Sequence, residues 1–370
     1  MTEGQIHLPS SKHRIAYFVS PHGFGHAARA SAVMTALHEI DPTIHSDVFT
    51  RVPQWFFDDS IRGQFAYHSL LTDIGLVQDS PLIEDLSKTV ERLDGFLPFE
   101  TNRIARLAAR VRKLKCELVV CDIAPLGIAV ARAAGIPSVL VENFTWDWIY
   151  QGYRRDEPRL SDAIAYLRGA FRAADYRIQT EPVCRYDEAD LTTAPVSRAP
   201  RMSRAATREK LGVPRRAKVV LITMGGIPGE HDFLQRLEER RGVYFVIPGN
   251  GAPARQNGNL VLLPHRSEFY HPDLVNACDA VIGKLGYSTV AEVYHAGVPL
   301  GYVSRARFRE SPVMARFVER HMRGLPVPDT QFHNGDWLRH LPDLLALPRI
   351  TRREPNGAMQ VARFLANLPA

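Results

Sequence analysis

The sequence predicts an α/β protein made of two successive parallel-sheet units of similar size. Short β-branched or aromatic runs alternate with longer helical patterns, which is the sequence form of a parallel sheet. A polar, proline-bearing stretch, TTAPVSRAPRMSR at 192–204, interrupts the alternation, which then restarts. The 370 residues also suit two ordinary domains better than one. In the first half, 14–20, 45–50, 65–70, 117–122, 138–142 and 176–180 read as strands. A helix is predicted over 101–115, where Ile104, Leu107, Ala108, Val111 and Leu114 recur at helical spacing. Arg103, Arg106, Arg110 and Lys113 fall largely on its other face, which reads as solvated, with weak contact to anionic lipid as the alternative. In the second half, 218–223, 243–247, 260–263, 280–283 and 300–303 are the strand candidates. Met359, Val361, Ala362, Phe364 and Leu365 give a last helix. The expected domains are therefore 1–191, a linker at 192–204, 205–350, and a C-terminal helix within 351–370 that packs back toward the first domain.

Hydrophobic residues make up 45% and charged residues 23%, the balance of a globular chain rather than a disordered one. The longest apolar runs fall far short of the ~20 residues of a membrane span. No basic-then-apolar leader precedes Lys12, and the four cysteines show neither CxxC pairing nor zinc spacing, so a reducing cytoplasm is expected. The net charge is +6, and only seven of the 46 basic residues are lysine. Arginine binds phosphates bidentately, so the charge suits an acidic ligand, but it does not choose one.

Three motifs can carry chemistry. In VSPHGFGHAARASAVMTAL (19–37) a strand ends in a turn with two glycines and two histidines, and a helix follows. Gly23 and Gly25 permit positive φ and close approach to a ligand at the carboxyl end of a strand, where open α/β sheets bind. The third glycine of a dinucleotide fingerprint is replaced by Ala28, and no Walker A lysine follows. His26 projects from the first helical turn, where a neutral imidazole can act as general base. The alternative is a turn-capping histidine, and His22 reads as solvated. The second motif, LITMGGIPGE (221–230), is a strand followed by Gly225 and Gly226, whose amides can face an anion. Glycines after a strand are equally often a tight turn.

The third motif is the most specific. In VIGKLGYSTVAEVYHAG (281–297) a strand is followed by Lys284, Gly286 and a helix over 287–296. Free amides and the Ser288 and Thr289 hydroxyls offer a diphosphate site. Glu292, one turn on, can accept both hydroxyls of a ribose, and Lys284 can pair with a phosphate. Downstream, Arg309 and Glu310 open another helix, and Glu310 can bind sugar hydroxyls. Plain helix-capping and solvated roles remain open for each. In ENFTWDWIY (142–150), Asn143, Trp146 and Asp147 follow a strand and are placed to contact an acceptor or to fill the core.

These segments together resemble GT-B glycosyltransferases, with two Rossmann-like domains facing across a cleft. HGFGHAAR, ENFTWDWIY, GKLGYSTVAE and FRESPVMARFVE are similar to segments of the glycosyltransferase-like N-terminal region of L-arabinokinases and their free-standing bacterial relatives. A more distant likeness is to MurG. The resemblance spans 14–320 and implies a nucleotide-diphosphate sugar held by the second domain and an acceptor on the first. By the same likeness His26 matches the loop base, Gly286, Ser288, Thr289 and Glu292 match the nucleotide-binding helix, and Glu310 matches a residue reaching the donor sugar. Two departures stand out. The kinase half of the arabinokinases is missing, and Arg309 stands where relatives often carry a smaller polar residue.

The expected function is inverting, metal-independent sugar transfer from a nucleotide-diphosphate sugar, UDP-linked, to an unidentified acceptor. No Asp-x-Asp follows a strand, which argues against the metal-dependent class. No other cofactor and no nucleic-acid partner is expected, since DEAD at 187–190 lacks a Walker A loop. Two alternatives share the fold: a nucleotide-sugar hydrolase, and a non-catalytic sugar-nucleotide-binding protein. Donor sugar, acceptor and oligomeric state do not follow from the residues.

Overall fold

In a computed structural model, which describes residues 13–80, 83–224, 233–249 and 254–368, two α/β units face each other across a cleft. Among the described residues each has a seven-stranded sheet. The first sheet runs Gln64–Ser69, His45–Thr50, Arg14–Val19, Leu118–Asp122, Ser138–Glu142, Tyr176–Thr180 and Leu191–Thr193, every pair parallel. The second runs Arg255–Asn257, Leu260–Leu263, Val243–Pro248, Lys218–Thr223, Ala280–Lys284, Leu300–Val303 and Gly324–Pro326, with only the Arg255–Asn257 edge antiparallel. Both are doubly wound. Chain order reverses beside Arg14–Val19 in the first and beside Lys218–Thr223 in the second, and such switch points open a crevice at the strands' carboxyl ends.

The apolar runs are continuous because both faces of each sheet are covered. Ala16 and Phe18 feed one core, while Ile15, Tyr17 and Val19 of the same strand feed the opposite one. In the second sheet Val219 and Leu221 go one way, Val220 and Ile222 the other. The eleven expected strands form within a residue of their expected ends. Four short edge strands and hairpin strands had no legible pattern, and Leu191–Thr193 extends the first sheet into the stretch read as linker. The final helix, Gly357–Ala366, places Ala358, Val361, Ala362 and Leu365 in the first domain's core beside Val33 and Leu37. The basic helix forms as Thr101–Lys113. Arg103 donates to the Leu71 carbonyl, Arg110 to His68 and Arg112 to the Ala133 carbonyl, so three of its five cations are folded onto the protein. Among the described residues no helix is long and apolar enough to cross a membrane.

Candidate active site

The first-domain wall of the cleft is built at the switch point. Strand Arg14–Val19 ends, the chain turns through His22 and Gly23, and helix Gly25–Ile40 begins. Gly23 has φ +71, a left-handed turn conformation that a side chain would strain. An added Cβ on Gly25 would stand 3.7 Å from Ser288 Oγ of the other domain, so the domains meet closely there. His26 falls on the first helical turn, only 8% exposed. Its Nδ1 lies 2.9 Å from Asp122 Oδ1, at the end of the neighbouring strand. A carboxylate fixes the tautomer: Nδ1–H donates to it, and Nε2 is left as the basic nitrogen.

Asp122 is itself held. Arg29, one turn beyond His26, donates Nε to Oδ2 at 2.8 Å and Nη2 to Oδ1 at 2.7 Å. Burial would raise the Asp122 carboxyl, but Arg29 and His26 hold it below its ordinary value. Arg29 Nη1 also donates to Asn143 Oδ1 at 2.8 Å and to Thr180 Oγ1 at 3.2 Å. The residue after Asp122, the fully buried Ile123, has φ +42. Left-handed backbone at a β-branched residue is strained, and such strain clusters at functional sites.

The second-domain wall mirrors the first in topology. Strand Ala280–Lys284 ends, Leu285 and Gly286 turn, and helix Tyr287–Ala296 starts without any side-chain cap. Its first turn carries Ser288 and Thr289 and its next Glu292. Burial and then Arg305 push the Lys284 amine down to about 8. Glu310 is buried and accepts from Asn143 Nδ2 at 2.9 Å, a hydrogen bond between the domains. Burial raises its carboxyl despite Arg305 and that bond.

Two adjoining cavities lie between the walls. One, about 90 Å³, is lined by Gly23, Gly25, His26, Lys284, Gly286, Ser288, Thr289 and Glu310, together with Arg305 and Gln78. The structure thus brings together most of the site residues expected from sequence. The other, about 430 Å³, shares Ser288 and Thr289 and adds Glu292, the Pro248–Gly249 and Pro264–Ser267 turns, and Trp55 and Phe56 from the first domain. Both Glu292 oxygens are already engaged, one by Arg198 at 2.9 Å and one by His271 at 2.7 Å. A ribose there would share or displace those partners.

Other expected residues fall elsewhere. Arg309 is not drawn into the cavity: its Nη1 donates to the Trp148 carbonyl at 2.6 Å and its guanidinium stacks on the Trp148 ring. Asp147 faces a different depression, 3.6 Å from Arg168, because the helix Trp146–Gln151 turns it away. Trp146 is core and donates to Asp73 Oδ2 at 3.0 Å, and its ring packs on His22 and His26. Burial lifts Asp73 to about 7. His22, expected in solvent, is half-buried under Trp146; burial, then Arg305, His26 and Lys284, keeps it neutral. Gly225 and Gly226 lie outside the described residues. Asp122, Arg29, Arg198, His271 and Arg305 went unassigned in the sequence. Only the first two left a trace there, a carboxylate ending an apolar strand and an arginine one helical turn after His26.

Residues 13–342 match the model of glycosyl transferase family 1. The chain belongs to that family. It is 28% identical over 362 residues to L-arabinokinase of Arabidopsis thaliana, a match covering 96% of this chain and 34% of that protein. The chain therefore spans about a third of that relative's length. Among solved structures it is similar to the glycotransferase of kitacinnamycin, with TM-score 0.65, 14% identity and coverage of 98% and 100% of the two chains. It is also similar to Acinetobacter baumannii MurG, with TM-score 0.55, 16% identity and coverage of 96% and 100%. At those identities the likeness establishes the GT-B fold. The family 1 match places the chain among the glycosyltransferase families.

Proposed function

We propose that the protein transfers a sugar from a nucleotide-diphosphate sugar with inversion and without a metal, using His26 as general base. The observation that carries this reading is the His26–Asp122 pair at one switch point, facing the uncapped helix start at the other across a single cavity. His26 Nε2 takes the proton from an acceptor hydroxyl as its oxygen attacks the anomeric carbon. The new C–O bond forms on the face opposite the diphosphate, which leaves with the bonding electron pair. Asp122 stabilises the imidazolium that results. The helix N-terminus, the Ser288 and Thr289 hydroxyls and Lys284 face the departing charge. Among the described residues no three His, Cys, Asp or Glu side chains gather as a metal site, and the helix start, the two hydroxyls and Lys284 are the counter-charge this reading uses.

The larger cavity suits the nucleoside, with UDP the expected nucleotide, and the acceptor enters from the first domain. The four free cysteines suit a reducing cytoplasm. The test is a panel of UDP, GDP, TDP and CDP sugars read by thermal shift and by turnover, with and without candidate acceptors. Binding of one nucleotide series with acceptor-dependent turnover supports the reading. Rapid acceptor-independent release of free sugar would make the enzyme a hydrolase, and binding without turnover would make it a sensor.

A further inference from the structure

The end of the small cavity away from the helix start carries polar atoms with nothing to bond. Arg305 lies on the loop after strand Leu300–Val303, five residues before Glu310, and is 6% exposed. Its Nε and Nη1 have no hydrogen-bond partner. The first domain reaches toward it with a two-stranded hairpin, Val77–Ser80 and Ile83–Asp85, in which Gln78 and Glu84 stand directly opposite each other. Gln78 lines the cavity and its Nε2 is unpaired; Glu84 stands behind that lining, its Oε1 unpaired and near the likewise unpaired Tyr153 hydroxyl. Arg305 Nη1 and Glu84 Oε1 are 4.0 Å apart, beyond a hydrogen bond. Leaving buried charged and amide groups unpaired costs free energy, so such a cluster beside a ligand cavity calls for a partner.

The mixture of atoms says what partner. Arg305, Gln78 and Lys284 supply donors, while Glu84 and Glu310 supply acceptors. A carboxylate on the ligand would meet Glu84 and Glu310 unfavourably, and a methyl group would leave Arg305 and Gln78 unpaired. A hydroxyl both donates and accepts.

We propose that Arg305 and Gln78, with Glu84 behind them, form a donor-sugar subsite shared between the domains, which selects a neutral, fully hydroxylated sugar over deoxy sugars and uronates. The proposal rests on the transferase reading above and adds to it the class of donor. A site built to hydrogen-bond a hydroxyl discriminates strongly against the analogue lacking it, because its own polar groups are then stranded.

The experiment compares UDP-glucose and UDP-galactose with their single-deoxy analogues and their uronates, or the same sugars on whichever nucleotide binds. Wild type, Arg305→Gln and Gln78→Ala are used, each checked for a cooperative thermal transition. Wild type is expected to favour the hydroxylated donor over at least one deoxy analogue, and over the uronate, by about 10²–10⁴-fold in kcat/KM. Arg305→Gln should shrink that ratio to about tenfold or less while affinity for the bare nucleoside diphosphate is kept. Gln78→Ala, on a surface hairpin, should shrink it partially, and it decides the matter if Arg305→Gln does not fold. Nucleotide binding with ratios that neither variant changes, or a wild-type preference for deoxy or uronate donors, overturns the subsite and leaves the transferase reading standing. If no nucleotide or nucleotide sugar binds or turns over, both fall.

Discussion

The two switch points occupy the same place in two Rossmann-like sheets, yet they are finished in opposite ways. At the first, the pair of groups around His26 is held from all sides: Asp122 takes His26 and Arg29, and Arg29 spends its remaining donors on Asn143 and Thr180. In the second, the helix start is uncapped, Lys284 is driven toward neutrality by burial and by Arg305, and Arg305 has two nitrogens unpaired. A satisfied network fixes one geometry, which a base needs. An unsatisfied one stores affinity for what is to be bound. On the proposed mechanism, one topology thus yields a rigid wall that carries the base and a receptive wall that binds the donor.

That contrast can be broken from either side. The largest effect is expected from Asp122→Ala, which strands the buried Arg29 charge: urea unfolding should show a loss of about 3–5 kcal/mol, and unchanged stability would mean the lattice is not structural. On the receptive wall, Lys284 is charged below about 8. Nucleoside-diphosphate affinity should therefore fall about tenfold as pH rises through that value, and calorimetry on Lys284→Met should show that dependence flattened. Ser288→Ala should weaken the same ligand by about fivefold, one hydrogen bond's worth, without altering the unfolding midpoint. The smallest change is expected from Arg309→Ala, which loses a stacking contact worth about 0.5–1 kcal/mol. It should leave turnover within about twofold, since its guanidinium lies on Trp148 and not in the cavity.

What could be read from the sequence follows from how locally each feature is encoded. Buried parallel strands such as Leu118–Asp122 announce themselves by composition, and the turn-and-helix starts at Gly23–His26 and Gly286–Thr289 by glycines at the end of an apolar run. Edge strands of three residues, such as Gly324–Pro326, carry too little pattern to see. The site residues that escaped notice act over long separations. Asp122 lies 96 residues from His26, Glu310 lies 167 from Asn143, and Glu84 meets Arg305 only because a hairpin crosses the cleft. Arg309 and Asp147 show the converse: each sits within a telling motif, but helix geometry turns it toward another surface.

The division of labour between the walls is tested most directly by one paired measurement on His26→Ala, turnover of the preferred donor alongside the dissociation constant of its nucleoside diphosphate. If His26 is the base, kcat falls by about 10²–10⁴ with the dissociation constant unchanged. Retained turnover, or parallel loss of nucleotide binding, would contradict that division.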